Sequence, residues 1–257
     1  MNGFRSGFGA LVLLALGIGA DPVLAQGRIT IGSNTLFDSG GGVIQAGCAS
    51  LVVDGVAAGD WSGLDSVALG LTGALATRQL DFGGDWHSAG EHSVPGRVHW
   101  RQQCARGEGT LSGSHRFAHL AVTGHSGVTR RLDVDGEQLI EQSLRLQGAN
   151  ERLVLRSSVP GTAARLTLAP AASWQVDSVD VADIDSSAGQ VIAPGDPGTY
   201  RSLDGGGNLN WFLGAVAIPV PALGPAALII LIFMVLLIAL RHSSVFKPCH
   251  AAKGDLA

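Results

Sequence analysis

Histidines concentrated between positions 87 and 125 are the first residues whose type suggests chemistry, and they are His87, His92, His99, His115, His119 and His125. A zinc ion needs three or four ligands that converge within ~2.0–2.3 Å of the metal. His115 and His119 would be adjacent ligands only on a helix, whereas their surroundings predict strand and turn. We therefore predict no metal site and interpret these side chains as solvated histidines on outward positions.

An acidic run could offer oxygen ligands to calcium, and it consists of Asp177, Asp180, Asp183 and Asp185. The EF-hand template does not fit, because Ala188 occupies its glycine position and Pro194 occupies the position of its bidentate glutamate. Strand alternation is the simpler interpretation, with Val179, Val181 and Ile184 mostly inward and the acids in solvent.

Two further carboxylates, Asp133 and Asp135, would lie on the same face of a strand. Such a pair could act as acid and base in glycoside hydrolysis if its separation and pKa values were suitable. Like-charged neighbours on a solvated strand are the alternative. The sequence has no Gly-x-Ser-x-Gly, phosphate-loop, His-Glu-x-x-His or Cys-x-x-Cys motif. We predict no catalytic residue and no cofactor, and keep a secreted polysaccharide hydrolase or lyase as the alternative function.

Tryptophans could form a sugar-stacking platform if they were exposed, and they are Trp61, Trp86, Trp100, Trp174 and Trp211. Large aromatic side chains more often fill a core or anchor turns, and that is the interpretation we favour.

Cys48 and Cys104 would meet an oxidising environment in an exported domain, where they could form a disulfide or remain small buried hydrophobes. Cys249 lies near the C-terminus, beyond the apolar segment described below.

Composition limits the elements that can position these residues. The chain has 257 residues, of which 37 are glycine and only 5% are aromatic, and this favours many turns over long helices. The formal net charge of −4 gives no reason to expect a nucleic-acid partner, which requires a basic face.

Short alternating runs predict an all-β fold. They begin at Leu120, Leu132, Leu144, Leu153, Leu166, Trp174 and Val179. Gly, Asn, Ser and Pro separate these runs, and such spacing is typical of a β-sandwich, a barrel or a solenoid. Gly-Asp-Trp occurs at 59–61 and again at 84–86, an interval close to one coil of a β-solenoid. Together with the low aromatic content, this favours a right-handed parallel β-solenoid over a sandwich.

Several phrases occur in an order that resembles bacterial surface-exported β-helix proteins with adhesin-like character. These are LRLQGANERLVLRSSVPG at 144–161, VDVADIDSS at 179–187 and DGGGNLNWF at 204–212, preceded by GDWHSAG at 84–90 and GTLSG at 109–113. The resemblance covers about residues 70–212 and implies a parallel β-helix.

Both ends of the chain are apolar. Arg5 precedes an apolar stretch, and small residues at Val23 and Ala25 suit cleavage by signal peptidase before Gln26, so we predict a signal peptide at 1–25. From Pro221 to Leu240 about 20 uncharged residues could cross the ~30 Å hydrocarbon core as a helix. We predict an exported domain at 26–217, a sorting motif with a single transmembrane helix at 218–241, and a short cytoplasmic tail at 242–257.

The segment before that apolar run resembles the IPTL-CTERM class of sorting signals, on the residues Val220, Pro221, Ala222 and Leu223 with Arg241 after the helix. The chain departs from that class at Ala222, where Thr is usual, and at Ala226, where Trp is usual. The resemblance implies recognition by an exosortase-type transpeptidase, after which the protein is either anchored in the cell membrane or released to the surface. Permanent anchorage and removal of the tail leave the same sequence pattern.

These features predict a non-catalytic protein of the cell surface or extracellular matrix, with a structural or adhesive role. Its expected partners are the lipid bilayer, signal peptidase, an exosortase-type enzyme and surface glycans or matrix. A rigid solenoid presents outward faces for such contacts without a catalytic site.

Overall fold

The computed structural model describes residues 27–101, 104 and 107–213. β-Strand is the main secondary structure of the described residues, and their one short helical element is a 3₁₀ turn at Pro197–Tyr200. They contain no helix that is long and apolar enough to cross a membrane. The predicted signal peptide at 1–25 and the predicted sorting segment and helix at 218–241 lie outside the described residues.

The strands are β1 Arg28–Ile31, β2 Leu36–Gln45, β3 Ser50–Val53, β4 Val56–Leu64, β5 Ser66–Leu69, β6 Ala74–Ala76, β7 Gln79–Phe82, β8 Trp86–Arg101, β9 Glu108–Thr123, β10 Arg130–Val134, β11 Glu137–Gln147, β12 Leu153–Ser157, β13 Ala164–Leu168, β14 Ser173–Asp177, β15 Val179–Ala182, β16 Ile184–Asp185 and β17 Leu203–Asp204. Each alternating run predicted from the sequence lies in a strand, from Leu120 in β9 to Val179 in β15. The predicted all-β class is therefore confirmed.

All the ladders between these strands are parallel, and they follow three columns. The first column runs β1, β3, β5, β8, β9, β10, β12, β15 and β17. The second runs β2, β4 and β6, and continues with β8, β9, β11, β13 and β16. The third runs β2, β4, β7, β8, β9, β11 and β14. The β-sandwich alternative is wrong for the described residues, because sandwiches pair their strands antiparallel.

Long strands take part in more than one column because they bend between ladder segments. The register between β8 and β9 shifts after His87 and again after Val94. Gly113 lies beside the first shift with φ +97°, and an added Cβ would come within 2.5 Å of the Ser88 carbonyl oxygen. Only glycine fits such a backbone without strain, so this residue permits the bend.

The core is built from alternate strand residues. Leu144 and Leu146 of β11 are buried, whereas Arg145 between them is exposed, as the period-two alternation of a strand requires. The same pattern buries the apolar positions of β10, β12 and β15.

Arg130 also lies in this core. Its guanidinium lies 3.8 Å from the Trp100 ring centroid and donates to the Gly83 carbonyl oxygen at 2.7 Å, and burial lowers its pKa to about 10.

Candidate functional site

The exposed face of the third column carries an ordered set of polar side chains. In one row Arg97 of β8 pairs with His119 of β9, which pairs with Ser143 of β11. In the next row His99 pairs with Ala121, which pairs with Arg145. A third row contains Arg101, Thr123 and Gln147. Because adjacent strands lie ~4.8 Å apart, each row brings together side chains that are far apart in sequence.

Hydrogen bonds between neighbouring strands hold the polar groups of this face. His119 Nδ1 and Ser143 Oγ share a hydrogen bond of 2.7 Å across 24 residues of sequence. His99 Nε2 and Thr123 Oγ1 share one of 2.9 Å, also across 24 residues. The histidine rings are thus fixed by the strands that follow them.

Asp81, His99 and Thr123 lie in the order carboxylate, imidazole, hydroxyl that nucleophilic hydrolases use. The carboxylate does not complete such a relay, because Asp81 Oδ1 is 3.7 Å from His99 Nδ1, beyond hydrogen-bond distance. Asp81 is instead bound by Arg101 Nη2 at 2.6 Å. Burial lowers the pKa of His99 despite the opposing attraction of Asp81, so this ring is neutral at pH 7.

The remaining histidines are dispersed. His87 is exposed in the first column and shares a 3.0 Å hydrogen bond with Ser112 Oγ. His92 and His115 are ladder partners with buried side chains, contrary to their predicted outward position. His125 makes an isolated antiparallel bridge with Val128. No cluster of three or more potential metal ligands occurs among the described residues.

His115 is a core residue. Its ring stacks on Phe117 with centroids 5.3 Å apart, and its Nδ1 shares a 2.7 Å hydrogen bond with Gln138 Oε1. Burial lowers the pKa of His115 to about 4, which the hydrogen bond with Gln138 only partly offsets. The residue is therefore neutral at physiological pH and acts as a packing group.

The two carboxylates considered as a catalytic pair lie at the end of β10. Asp133 is on the strand, whereas Asp135 follows its last residue and is exposed. Asp133 Oδ1 accepts a hydrogen bond from Arg131 Nε at 2.8 Å. The side chain of Asp133 is thus paired with Arg131.

The aspartates of the acidic run lie apart and bind different partners. Asp177 binds Arg201, and Asp180 Oδ2 accepts from Arg156 Nη2 at 3.0 Å. Asp183 and Asp185 accept from the backbone N–H groups of Gly161 and Ser187, at 3.0 and 2.8 Å. Side-chain and backbone hydrogen bonds from Ser187 lower the pKa of Asp185. Each of the four aspartates thus has its own structural partner.

Cys48 and Cys104 form a disulfide, with Cα atoms 5.4 Å apart and a sequence separation of 56. The sequence left open whether these cysteines form a disulfide or remain as free buried thiols, and in the structure they form the disulfide. The bond joins the loop before β3 to the segment between β8 and β9.

Most of the tryptophans lie in the core: Trp61, Trp86, Trp100 and Trp211 are 0–2% exposed. Trp174 is half-buried against Tyr200. The two Gly-Asp-Trp motifs do not stack on each other, because Trp61 pairs with Leu80 in the third column and Trp86 pairs with Val67 and Leu111 in the first. Their aspartates share a role, however, since Asp60 accepts from the backbone N–H of Gln79 and Asp85 from that of Thr110.

Sequence analysis singled out the histidines of the polar face but missed Arg97, Ala121, Thr123, Ser143 and Arg145. The only sequence signal for them is alternation, which identifies outward positions without showing which of them become neighbours. The predicted sorting residues Val220, Pro221, Ala222, Leu223 and Arg241 lie outside the described residues. Comparison with family models, curated proteins and solved structures finds no match to this chain.

Proposed function

We propose that this chain is an exported, non-catalytic protein of the cell surface or extracellular matrix, with a structural or adhesive role, and that its described residues form a parallel β-solenoid. The observation that carries the proposal is the register of the columns. Leu132 pairs with Leu155, which pairs with Val181, so each strand lies against the next pass of the chain. Repeated parallel passes of this kind build a continuous core and leave outward positions free for contact.

The outward residues support a role in contact. The described residues bring no metal-ligand cluster together, and the histidines of the polar face are engaged by hydroxyl groups of the next strand. These hydrogen bonds order the surface without producing a reactive group. A surface of fixed donors and acceptors suits recognition of a polar polymer.

Export rests on the terminal segments and the disulfide. The proposal includes a signal peptide at 1–25, a transmembrane helix within 218–241, and an IPTL-CTERM-type sorting motif at Val220–Leu223 that an exosortase-type enzyme would recognise. The Cys48–Cys104 disulfide supports this assignment, because such bonds persist in oxidising compartments and are rare in the cytosol.

The alternative of a polysaccharide-cleaving enzyme required Asp133 and Asp135 to act as acid and base. The bond between Arg131 and Asp133 favours the non-catalytic proposal, because an adjacent guanidinium stabilises the ionised carboxylate.

Antibody labelling of intact native cells that produce the full chain tests this proposal. We expect labelling of the wild type, and loss of surface display for Leu231→Arg, which places a charge within the apolar run. Leu231→Ile is the matched control and should be displayed normally. Labelling that occurs only after the cells are permeabilised would contradict the proposal.

A further inference from the structure

A depression on the polar face of the third column is centred on Ala121. Its volume is about 440 Å³, and its lining includes Arg97, His99, His119, Thr123, Ser143 and Arg145. Ala121 lies near the C-terminal end of β9, the strand between β8 and β11, and its small side chain is flanked by His99 and Arg145 on the two neighbouring strands. The depression therefore results from the register that places alanine among arginine and histidine.

Two cations flank this depression. Arg97 on β8 and Arg145 on β11 are both exposed, and neither pairs with a carboxylate among the described residues. Carboxylates neutralise other arginines of the described fold, namely Arg78, Arg101, Arg116, Arg131, Arg156 and Arg201. Arg145 Nε and Nη2 bind only the amide oxygen of Gln147, which leaves its charge uncompensated.

The lining of the depression suits an anion. Ser143 and Thr123 supply hydroxyl groups whose positions are fixed by His119 and His99. No carboxylate belongs to the lining. Asp81, which lies near His99, is buried and bound by Arg101, so its charge is already compensated. An incoming carboxylate would thus meet guanidinium and hydroxyl donors without repulsion from an unpaired acid.

The arginine side chains of this face limit the chemical class of ligand that it can bind. The sequence has no lysine before Lys247, so every basic side chain of the described fold other than histidine is arginine. A planar guanidinium binds a carboxylate through two parallel hydrogen bonds, which an ammonium cannot do. The four fully buried tryptophans provide no stacking platform for neutral sugars. Recognition on this face therefore depends on charge and on hydroxyl contacts.

We propose that the depression over Ala121 binds a carboxylate of an acidic polysaccharide, with Arg97 and Arg145 on its two sides and the hydroxyl groups of Thr123 and Ser143 nearby. This inference rests on the proposed function, because such a polymer meets only an exported domain. Ladder partners extend this polar face on both sides, with Gln79 of β7 beside Arg97 and Gln175 of β14 beside Arg145, so the rest of a polymer has polar side chains to contact beyond the depression.

The test is titration of the full chain in non-ionic detergent with polygalacturonate at pH 7, with dextran as the neutral comparison. We expect binding to polygalacturonate only, weakened by added salt because exposed charges are screened. Arg97→Gln or Arg145→Gln should each weaken binding by about tenfold, and the double variant by about a hundredfold. Ala121→Leu should abolish binding, because the larger side chain fills the depression although the charge of the protein is unchanged.

Arg28→Gln/Arg165→Gln is the matched control, because both arginines are exposed on strands outside the third column. It removes the same charge and should leave affinity within twofold of the wild type. Circular dichroism identifies any variant that fails to fold.

Equal weakening by the control pair, equal binding of dextran, or preferential binding of phosphatidylglycerol vesicles would each overturn the assignment. Surface labelling of the same protein separates the two proposals. Absence of polygalacturonate binding by a protein that is displayed on the surface refutes the site alone, whereas absence of display refutes the proposed function.

Discussion

Protonation of His115 should destabilise the fold between pH 6.5 and pH 4. The imidazole is buried beside Phe117, and burial lowers its pKa to about 4, against about 6.5 in an unfolded chain. In this interval the unfolded state binds the proton and the folded state does not. The stability contributed by neutral His115 is therefore fully present above pH 6.5 and is lost as the pH falls.

The size of the effect follows from the two pKa values. A separation of about 2.5 units corresponds to about 3 kcal/mol of unfolding free energy by pH 4. Urea denaturation of the full chain in non-ionic detergent at pH 7, 5.5 and 4 would measure it. Other titrating groups contribute too, so the relevant quantity is the difference between the wild type and a non-titrating variant.

His115→Gln is that variant, because glutamine retains a polar group but cannot be protonated in this range. We expect the wild type to lose about 3 kcal/mol more than the variant between pH 7 and pH 4. His125→Gln serves as the control, because it replaces an exposed imidazole that is not among the groups acting on His115, and it should show the same pH dependence of stability as the wild type. Parallel curves for the wild type and His115→Gln would refute the reasoning.

The other predictions concern the disulfide, the core and catalysis. Reduction of the Cys48–Cys104 disulfide should lower the free energy of unfolding by about 4 kcal/mol, because the bond closes a loop of 56 residues. An unchanged urea midpoint after reduction would contradict this. Leu144→Ala should lower the free energy of unfolding by roughly 2–5 kcal/mol, because Leu144 is buried in the core. Leu71 is 79% exposed, and Leu71→Ala should change the free energy of unfolding by less than about 0.5 kcal/mol. The purified wild type should not depolymerise acidic or neutral polysaccharides, so reducing ends released by it but not by Asp133→Asn/Asp135→Asn would favour the enzyme alternative.

Alternation predicted the strands because it depends on one local property. A run such as Leu153-Val-Leu must place its leucines on one face of a strand, whichever strand lies beside it. The ladder partners of a strand cannot be predicted in this way, because they depend on the lengths of the bends between ladder segments. The spacing of Gly-Asp-Trp suggested one coil, yet Trp61 and Trp86 lie in different columns. The motif repeats because each aspartate holds the backbone of a later strand and each tryptophan fills the core.

The polar face could be predicted only in part for the same reason. His99 and His119 stand out by residue type, but nothing local indicates that Ala121 lies between His99 and Arg145. Burial of His115 was missed because a histidine within an alternating strand reads equally well as outward or inward. His115 shares its buried face with Phe117 two residues later, and its ladder partner Gln138 also has a buried side chain.

A non-reducing tryptic peptide map of the protein from its native host tests the central claim most directly. Cleavage at arginine would release a peptide that contains Cys48 and a short one that contains Cys104. We expect these two peptides to be joined by a disulfide and the mature chain to begin near Gln26, because an exported domain loses its signal peptide and keeps the Cys48–Cys104 bond. A chain that retains Met1 and carries both cysteines as free thiols would contradict it.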